Sequence, residues 1–206
     1  MSRSEPDAVP PVNICLYCGA SGGKDPAYLE SARRFGRALG ESGARLIYGG
    51  GGDGMMGAAA AACMEAGGEA IGVIPRTMVR REWAKKDLTQ LLIVESMHTR
   101  KSVMASNAEG FAALPGGIGT LDEFFEILVW GDLSFHAKPV ALVDVKGYWD
   151  PLLKFLDHAV EEGFVSPRAR ERFFLAPDPE TAARELIRGA EALRASAPPR
   201  RREPRG

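Results

Sequence analysis

Short runs of apolar residues alternate along this chain with longer segments in which apolar residues recur at helical spacing. The short runs predict buried strands, and the periodic segments predict helices. The predicted strands are residues 12–18, 44–48, 69–74, 91–94, 111–114 and 140–143. The predicted helices are residues 26–41, 55–66, 97–108, 121–130, 149–162 and 179–194. The charged connection 75–90 is predicted to be partly helical.

Strands that alternate with helices indicate a mainly parallel sheet covered by helices on both faces. The expected fold class is therefore α/β, with three layers in the order α/β/α. The length of 206 residues fits a single domain, and we place it at residues 12–194. Residues 1–11 and 195–206 are rich in Pro, Ser and charge, so both are predicted to be disordered tails. The second tail is basic and could contact an anionic partner, but such runs are more often solvated tails, which is the interpretation we favour.

Three glycine-rich segments follow predicted strands: CGASGG after the first, YGGGGDGMMG after the second and LPGGIGT after the fifth. In parallel sheets, ligands bind beside the carboxyl ends of the strands, where the strand order reverses. The second segment contains a G-x-G-x-x-G match at Gly52, Gly54 and Gly57. The next strand ends in Pro75 and Arg76 instead of an acidic residue that could hold a ribose, so a dinucleotide cofactor is not favoured.

The segment PGGIGT offers converging backbone N–H groups and the start of a helix, which together suit one phosphate. A tight turn that needs glycine only for its backbone angles explains the same residues equally well. Glu123 follows Thr120 at the spacing of a capping box, in which the carboxylate reaches back to the first turn of the helix. The same carboxylate could instead do chemistry on a ligand held by the glycines.

Arg100 shares a helical stripe with Met97 and Met104, because the three residues are spaced i, i+3 and i+7. An arginine that points inward must meet an anion or a carboxylate. The alternative is a stem that lies along the surface with its charged head in water. His98 is interpreted as a packing or hydrogen-bonding residue.

The net charge of −1 gives no electrostatic reason to expect nucleic acid or a membrane as a partner. The spacing C-x-x-C of Cys15 and Cys18 falls on a predicted strand, where residues three apart point to opposite faces. We therefore interpret both as buried apolar residues and expect no metal site. With no signal peptide and no apolar run long enough for a bilayer, the expected location is the cytoplasm.

The segments YGGGGDGMMG, GVIPRTM, MHTRK, LPGGIGTLDE and WGDLSFHAKP occur in this order. Together they resemble the LOG (Lonely Guy) family, the cytokinin riboside 5′-monophosphate phosphoribohydrolases, once labelled possible lysine decarboxylases. The resemblance covers residues 12–164. It implies a Rossmann-like homodimer without a cofactor. It also implies hydrolysis of the N-glycosidic bond of a purine nucleoside 5′-monophosphate, AMP or an N6-prenylated AMP, to free base and ribose 5-phosphate.

The resemblance assigns the catalytic roles to Arg100 and Glu123. The substrate-binding residues expected from the matched segments are Gly19, Ser21, Gly51, Gly54, Glu82, Arg100, Lys101, Pro115, Gly116, Gly117, Gly119 and Thr120. The turn that ends in Thr120 corresponds to the phosphate site. Ala20, Val129 and Asp132 depart from residues that are frequent in the family, and the last two leave the preferred base open.

The residues themselves fit this chemistry. Cleavage of a ribosyl–purine bond builds positive charge on the sugar, which a carboxylate such as Glu123 can stabilise while it orients water. Lysine decarboxylation needs an electron sink such as pyridoxal phosphate, and no lysine in the sequence is marked for it. The alternative function is a non-catalytic Rossmann-like protein that binds a nucleotide or cofactor, as carriers of molybdenum cofactor do.

Overall fold

The computed structural model describes residues 10–79, 85 and 87–196. The strands are β1 Asn13–Tyr17, β2 Arg45–Tyr48, β3 Glu69–Pro75, β4 Gln90–Val94, β5 Gly110–Ala113, β6 Val140–Val143 and β7 Phe174–Ala176. The helices are α1 Pro26–Glu41, α2 Gly54–Glu65, α3 Met97–Asn107, α4 Ile118–Asp132, α5 Asp150–Glu161, α6 Pro167–Arg170 and α7 Pro179–Ser196.

The seven described strands form one sheet in the order β4-β3-β2-β1-β5-β6-β7. Every pairing is parallel; Ile14 of β1, for example, pairs with Leu46 of β2 on one side and with Gly110 of β5 on the other. The chain builds outward from β1 in one direction and then returns to add β5 on its other side. The strand order therefore reverses between β1 and β5, as in a Rossmann-like fold.

Side chains that alternate along β1 enter two separate cores. Ile14 and Leu16 pack with α1, α2 and α7 on one face of the sheet. Cys15 and Tyr17 pack with α3, α4 and α5 on the other face. The three-layer α/β/α fold predicted from the sequence is thereby confirmed.

Helices α1 and α2 approach so closely that small residues are required between them. A side chain at Gly36 of α1 would collide with the backbone carbonyl of Ala59 in α2, and one at Gly40 with the carbonyl of Cys63. The Ala-rich sequence of α2 suits this contact, because methyl groups allow two backbones to come together at little entropic cost. Asp25 caps α1 as predicted and accepts a hydrogen bond from the Ala27 N–H at 2.9 Å.

Two short elements, α6 and β7, have no counterpart in the predicted pattern. Between β3 and β4, residues 76–79 and 87–89 are turns and bends, so no described residue of this connection is helical; residues 80–84 and 86 lie outside the described part of the chain. At the ends of the domain, Arg194 donates hydrogen bonds to the carbonyls of Pro10 and Pro11 at 2.7 and 2.9 Å. Helix α7 continues to Ser196, two residues past the predicted end at 194. None of the described helices is long and apolar enough to cross a membrane.

Candidate active site

A cavity of about 740 Å³ opens at the carboxyl edge of the sheet, where the strand order reverses. The loops after β1 and β5 form its floor, and side chains from α2, α3, α4 and the loop after β6 form its walls. The described residues that line it are Cys18, Gly19, Ala20, Ser21, Gly23, Tyr28, Met55, Met56, Met78, Met97, Arg100, Pro115, Gly116, Gly117, Gly119, Thr120, Asp122, Glu123 and Tyr148. The volume falls within the range of small-molecule sites.

Helix α4 begins inside this cavity. Its hydrogen-bond ladder starts with the Leu121 N–H, which donates to the Gly117 carbonyl at 3.1 Å. The N–H groups of Ile118, Gly119 and Thr120 precede the ladder and face the loop that ends at Gly117. A helix start of this kind combines free donors with the positive end of the helix dipole, which suits an anion.

The capping-box interpretation of Thr120 and Glu123 is wrong. The helix starts at Ile118 with Gly117 at the cap position, three residues before the expected cap, and the first turn of the described helix carries no acidic residue. Thr120 lies within the first turn and is 4% exposed. Glu123 lies in the second turn, too far along the helix to reach back to the cap N–H.

Gly116 has no room for a side chain, because any Cβ there would collide with the Thr120 hydroxyl group. The preceding carbonyl, that of Pro115, accepts a hydrogen bond from the Gly19 N–H at 3.1 Å. The loops after β1 and β5 are thus joined directly, and their shared surface forms the floor of the cavity.

Arg100 enters the cavity from the first turn of α3 and is only 5% exposed. Its Nε donates to the Val73 carbonyl at 3.1 Å, and one terminal nitrogen donates to the Gly49 carbonyl at 2.8 Å. These carbonyls belong to the carboxyl ends of β3 and β2. Of the two directions that the sequence left open for Arg100, the inward one is observed, and the carbonyls anchor its buried charge. Met97 differs from the expected stripe, since its side chain is 44% exposed.

Glu123 is half-buried and lines the same cavity as Arg100. The charge of Glu123 also acts on Cys18, which directly follows β1. Burial raises the pKa of the Cys18 thiol, and the Glu123 carboxylate raises it further. The carboxylate therefore lies close to a buried part of the protein, where charge interactions are stronger than in water.

Lys101 lies outside the cavity wall that the described residues form. Its ammonium group pairs with Asp122 and Glu126 of α4, with 3.1 Å to an oxygen of each carboxylate. Burial opposes the charged form of Lys101, but the two carboxylates outweigh it and raise its pKa. The lysine therefore joins α3 to α4 through two carboxylates, one before and one after Glu123 in the sequence.

The remaining expected residues divide into three groups. Gly19, Ser21, Pro115, Gly116, Gly117, Gly119 and Thr120 line the cavity together with both residues to which catalysis is assigned. Gly51 and Gly54 lie outside the described wall; Gly54 packs against the carbonyl of Ala20, which does line it. Glu82 lies outside the described residues. Val129 and Asp132 are exposed on α4, away from the described wall.

Sequence reasoning missed the aromatic and methionine side chains of the cavity. Tyr28 and Tyr148 form an edge-to-face pair, with ring centroids 5.6 Å apart. The Tyr148 hydroxyl donates to the Gly116 carbonyl at 2.6 Å. One signal was available, because DVKGYW follows a predicted strand and so belongs to the same edge of the sheet as the glycine loops.

The two cysteines of the C-x-x-C spacing lie on opposite faces of the sheet, as predicted. Burial raises the pKa of both thiols. Neutral, buried thiols are weak nucleophiles and poor metal ligands. Among the described residues, no group of three or more His, Cys, Asp or Glu is placed to hold a metal ion.

The strand order and the cavity at its reversal define a Rossmann-like α/β protein with a ligand crevice at the carboxyl edge of its sheet. The solved structures that it resembles have this fold. The molybdenum cofactor binding protein from Rippkaea orientalis is 21% identical with a TM-score of 0.66, covering 86% of this chain and 96% of its own. The molybdenum cofactor carrier protein of Chlamydomonas reinhardtii is 20% identical, also with a TM-score of 0.66, covering 88% of this chain and 99% of its own. At these identities the likeness concerns the fold alone.

Sequence comparison is more specific. A family model described as "Possible lysine decarboxylase" matches residues 56–186. The cytokinin riboside 5′-monophosphate phosphoribohydrolase LOG7 of Arabidopsis thaliana is 45% identical over 178 residues, covering 86% of this chain and 80% of that protein. LOG3 of the same plant is 43% identical over 178 residues, covering 86% and 81%. The chain belongs to the LOG family of phosphoribohydrolases, which are N-glycosyl hydrolases.

Proposed function

We propose that this protein hydrolyses the N-glycosidic bond of purine riboside 5′-monophosphates and releases the free base and ribose 5-phosphate. The substrates proposed are AMP and AMP that carries an N6-prenyl group. One observation carries the proposal: the helix start suited to a phosphate shares a single cavity with Glu123 and Arg100. The relatives named as cytokinin riboside 5′-monophosphate phosphoribohydrolases support the same substrate class.

In the proposed mechanism, the 5′-phosphate binds at the start of α4, with the Thr120 hydroxyl and the N–H groups before the helical ladder as donors. Anchoring the phosphate fixes the sugar, so the reacting carbon C1′ is held in place before any bond changes. Because a phosphate at this position lies one turn from Glu123, the ribose would extend along the helix toward the carboxylate.

The chemical step breaks the bond from C1′ to the purine nitrogen and forms a bond from C1′ to a water oxygen. The electron pair of the broken bond leaves with the purine, which takes up a proton, while the attacking water loses one. Positive charge builds on the ribose ring in between. The Glu123 carboxylate stabilises that charge and orients the water. Arg100, held by the Val73 and Gly49 carbonyls, supplies a fixed positive charge that positions the carboxylate and the substrate.

The experiment is incubation of the purified protein with AMP, isopentenyl-AMP and the matching nucleosides, with chromatographic detection of free base and ribose 5-phosphate. Release of base from the monophosphates but not from the nucleosides is the expected result. A non-catalytic carrier would bind the nucleotide and leave it intact. That outcome would overturn the proposal.

We also propose that the protein is a homodimer. The exposed end of α4 and the segment after it carry three large apolar side chains, Val129, Leu133 and Phe135, which are 53%, 59% and 75% exposed. Apolar side chains clustered on one helix end are typical of surfaces that a partner covers. Light scattering of the purified chain tests this. A monomer at micromolar concentration would contradict it.

A further inference from the structure

The loop that would hold the phosphate contains a peptide group that is unusually free to rotate. The peptide between Gly116 and Gly117 has no Cβ on either side, so turning it over costs little in steric energy. Rotation would exchange the direction of the Gly116 carbonyl with that of the Gly117 N–H. A site that relies on backbone donors therefore needs something outside the loop to hold this peptide.

Tyr148 supplies that contact. Its hydroxyl donates to the Gly116 carbonyl at 2.6 Å. The peptide bond is planar and trans, so the Gly117 N–H must point away from the carbonyl that Tyr148 holds. The preceding carbonyl, that of Pro115, is held by the Gly19 N–H at 3.1 Å. Two successive peptides of the loop are thus fixed from two different neighbouring loops.

The position of Tyr148 is itself well determined. The loop after β6 turns tightly, with Lys146 and Gly147 at φ of 56° and 70° and the Gly147 N–H donating to Asp144 at 3.1 Å. Trp149, which directly follows Tyr148, is 2% exposed and donates from its indole nitrogen to the Val143 carbonyl at 3.0 Å.

The ring of Tyr148 contacts two other aromatic rings. It meets the Trp149 ring edge-on, with 4.9 Å between centroids, and the Tyr28 ring at 5.6 Å. These two contacts, one of them with the buried Trp149, restrict the directions open to the phenol. The hydroxyl is therefore held toward the Gly116 carbonyl on the wall of the cavity.

We propose that Tyr148 is a positioning residue of the phosphate subsite, which acts by holding the Gly116–Gly117 peptide in the orientation that binds the 5′-phosphate. The inference rests on the proposed function for the identity of the phosphate ligand. It assigns Tyr148 an effect on binding of the phosphate and none on the bond-breaking step. The effect should be seen only with ligands that carry the phosphate.

The test compares wild type with Tyr148→Phe, which removes one oxygen atom and keeps the ring contacts. Tyr48→Phe is the matched control, because the Tyr48 hydroxyl is buried outside the described cavity wall and meets no hydrogen-bond partner among the described residues. Ribose 5-phosphate binding is measured by calorimetry, and turnover of AMP by base release. We expect Tyr148→Phe to raise the Kd for ribose 5-phosphate and the KM for AMP by about threefold to tenfold, with kcat changed less than about twofold. Tyr48→Phe should leave all three values unchanged.

Equal affinity of wild type and Tyr148→Phe for ribose 5-phosphate would overturn the inference. An equal loss of affinity for adenosine, which has no phosphate, would also overturn it, since the hydroxyl would then support the cavity as a whole. If wild type binds ribose 5-phosphate but hydrolyses no nucleotide, the proposed function fails while the binding comparison still decides the role of Tyr148. If wild type binds no phosphorylated ligand, both proposals fail.

Discussion

Lys101 and Glu126 form an ion pair between α3 and α4, with 3.1 Å between the ammonium nitrogen and a carboxylate oxygen. Lys101 directly follows Arg100, and Glu126 lies one helical turn beyond Glu123. The pair therefore links the two helices that carry the proposed catalytic residues. Both side chains are largely shielded from water, at 17% and 20% exposure, so the pair is stronger than one on an open surface.

Replacing Lys101 with methionine should leave Glu126 unpaired and loosen α4 against α3. We expect kcat for AMP to fall about tenfold, with a smaller change in KM, because misplacement of Glu123 affects the chemical step more than phosphate binding. Steady-state kinetics measure this. Lys154→Met, on the exposed face of α5, is the control. A rise in KM alone would instead show that Lys101 binds the substrate, as the family resemblance implies.

Glu123→Gln should keep the size of the side chain and remove its charge. We expect nucleotide binding to persist while kcat falls by about a hundredfold or more, because the amide cannot stabilise a positive sugar or accept a proton from water. Calorimetry with AMP and a base-release assay measure the two effects separately. Turnover near the wild-type rate would remove Glu123 from the mechanism.

Arg100→Met should lower stability as well as activity. The substitution would leave the buried Val73 and Gly49 carbonyls without the donors that now meet them, and each lost partner costs about 1–3 kcal/mol. We expect a decrease of about 2–4 kcal/mol in the free energy of unfolding, measured with denaturant. The exposed Arg37→Met variant should change it by less than about 0.5 kcal/mol. A lysine at position 100 should not restore stability, because it lacks the planar fork of donors.

Glu109 should make the fold sensitive to acid. Burial raises the pKa of its carboxyl, but hydrogen bonds from Arg194 and from the Asn13 N–H lower it more, and the result lies below the ordinary value of 4.5. A carboxyl with a depressed pKa in the folded state stabilises the fold above about pH 4.5, and this contribution is lost as the pH falls through the lower value. In thermal melts across pH 3–7, about the range where this carboxyl titrates, Glu109→Gln should therefore flatten the acid side of the profile relative to wild type. The exposed Glu162→Gln variant should keep the wild-type shape, and an unchanged slope in Glu109→Gln would contradict the prediction.

The fold could be predicted because each element carries its own signal. Helix α1, for example, starts and ends at the predicted residues, since Asp25 and Pro26 mark its beginning unambiguously. Strand β7 has only three residues, which is too few for any periodicity to show.

The sequence pattern predicts the start of α4 three residues too late, for a related reason. A glycine at the cap, Gly117, and another in the first turn, Gly119, weaken the helical signal. Ile118 between them is 88% exposed, so its apolar side chain does not follow the pattern of the core. The candidate catalytic residues could be named from the sequence, but the groups that hydrogen-bond to the site residues could not. Val73 and Gly49 meet Arg100 only because β2 and β3 end side by side, and Tyr148 meets Gly116 only because β5 pairs with β6.

The pairing of β1 with β5 has a consequence for how the chain acquires its site. Ile14 and Gly110 are neighbours in the sheet although nearly half the chain separates them, and closing so long a loop is entropically costly and slow. A nascent chain that has completed β1 to β4 can already pair four strands, but it has neither the second wall of the crevice nor the start of α4. The proposed nucleotide site therefore requires the step that joins the two halves of the sheet, and a bound nucleotide would hold that junction closed.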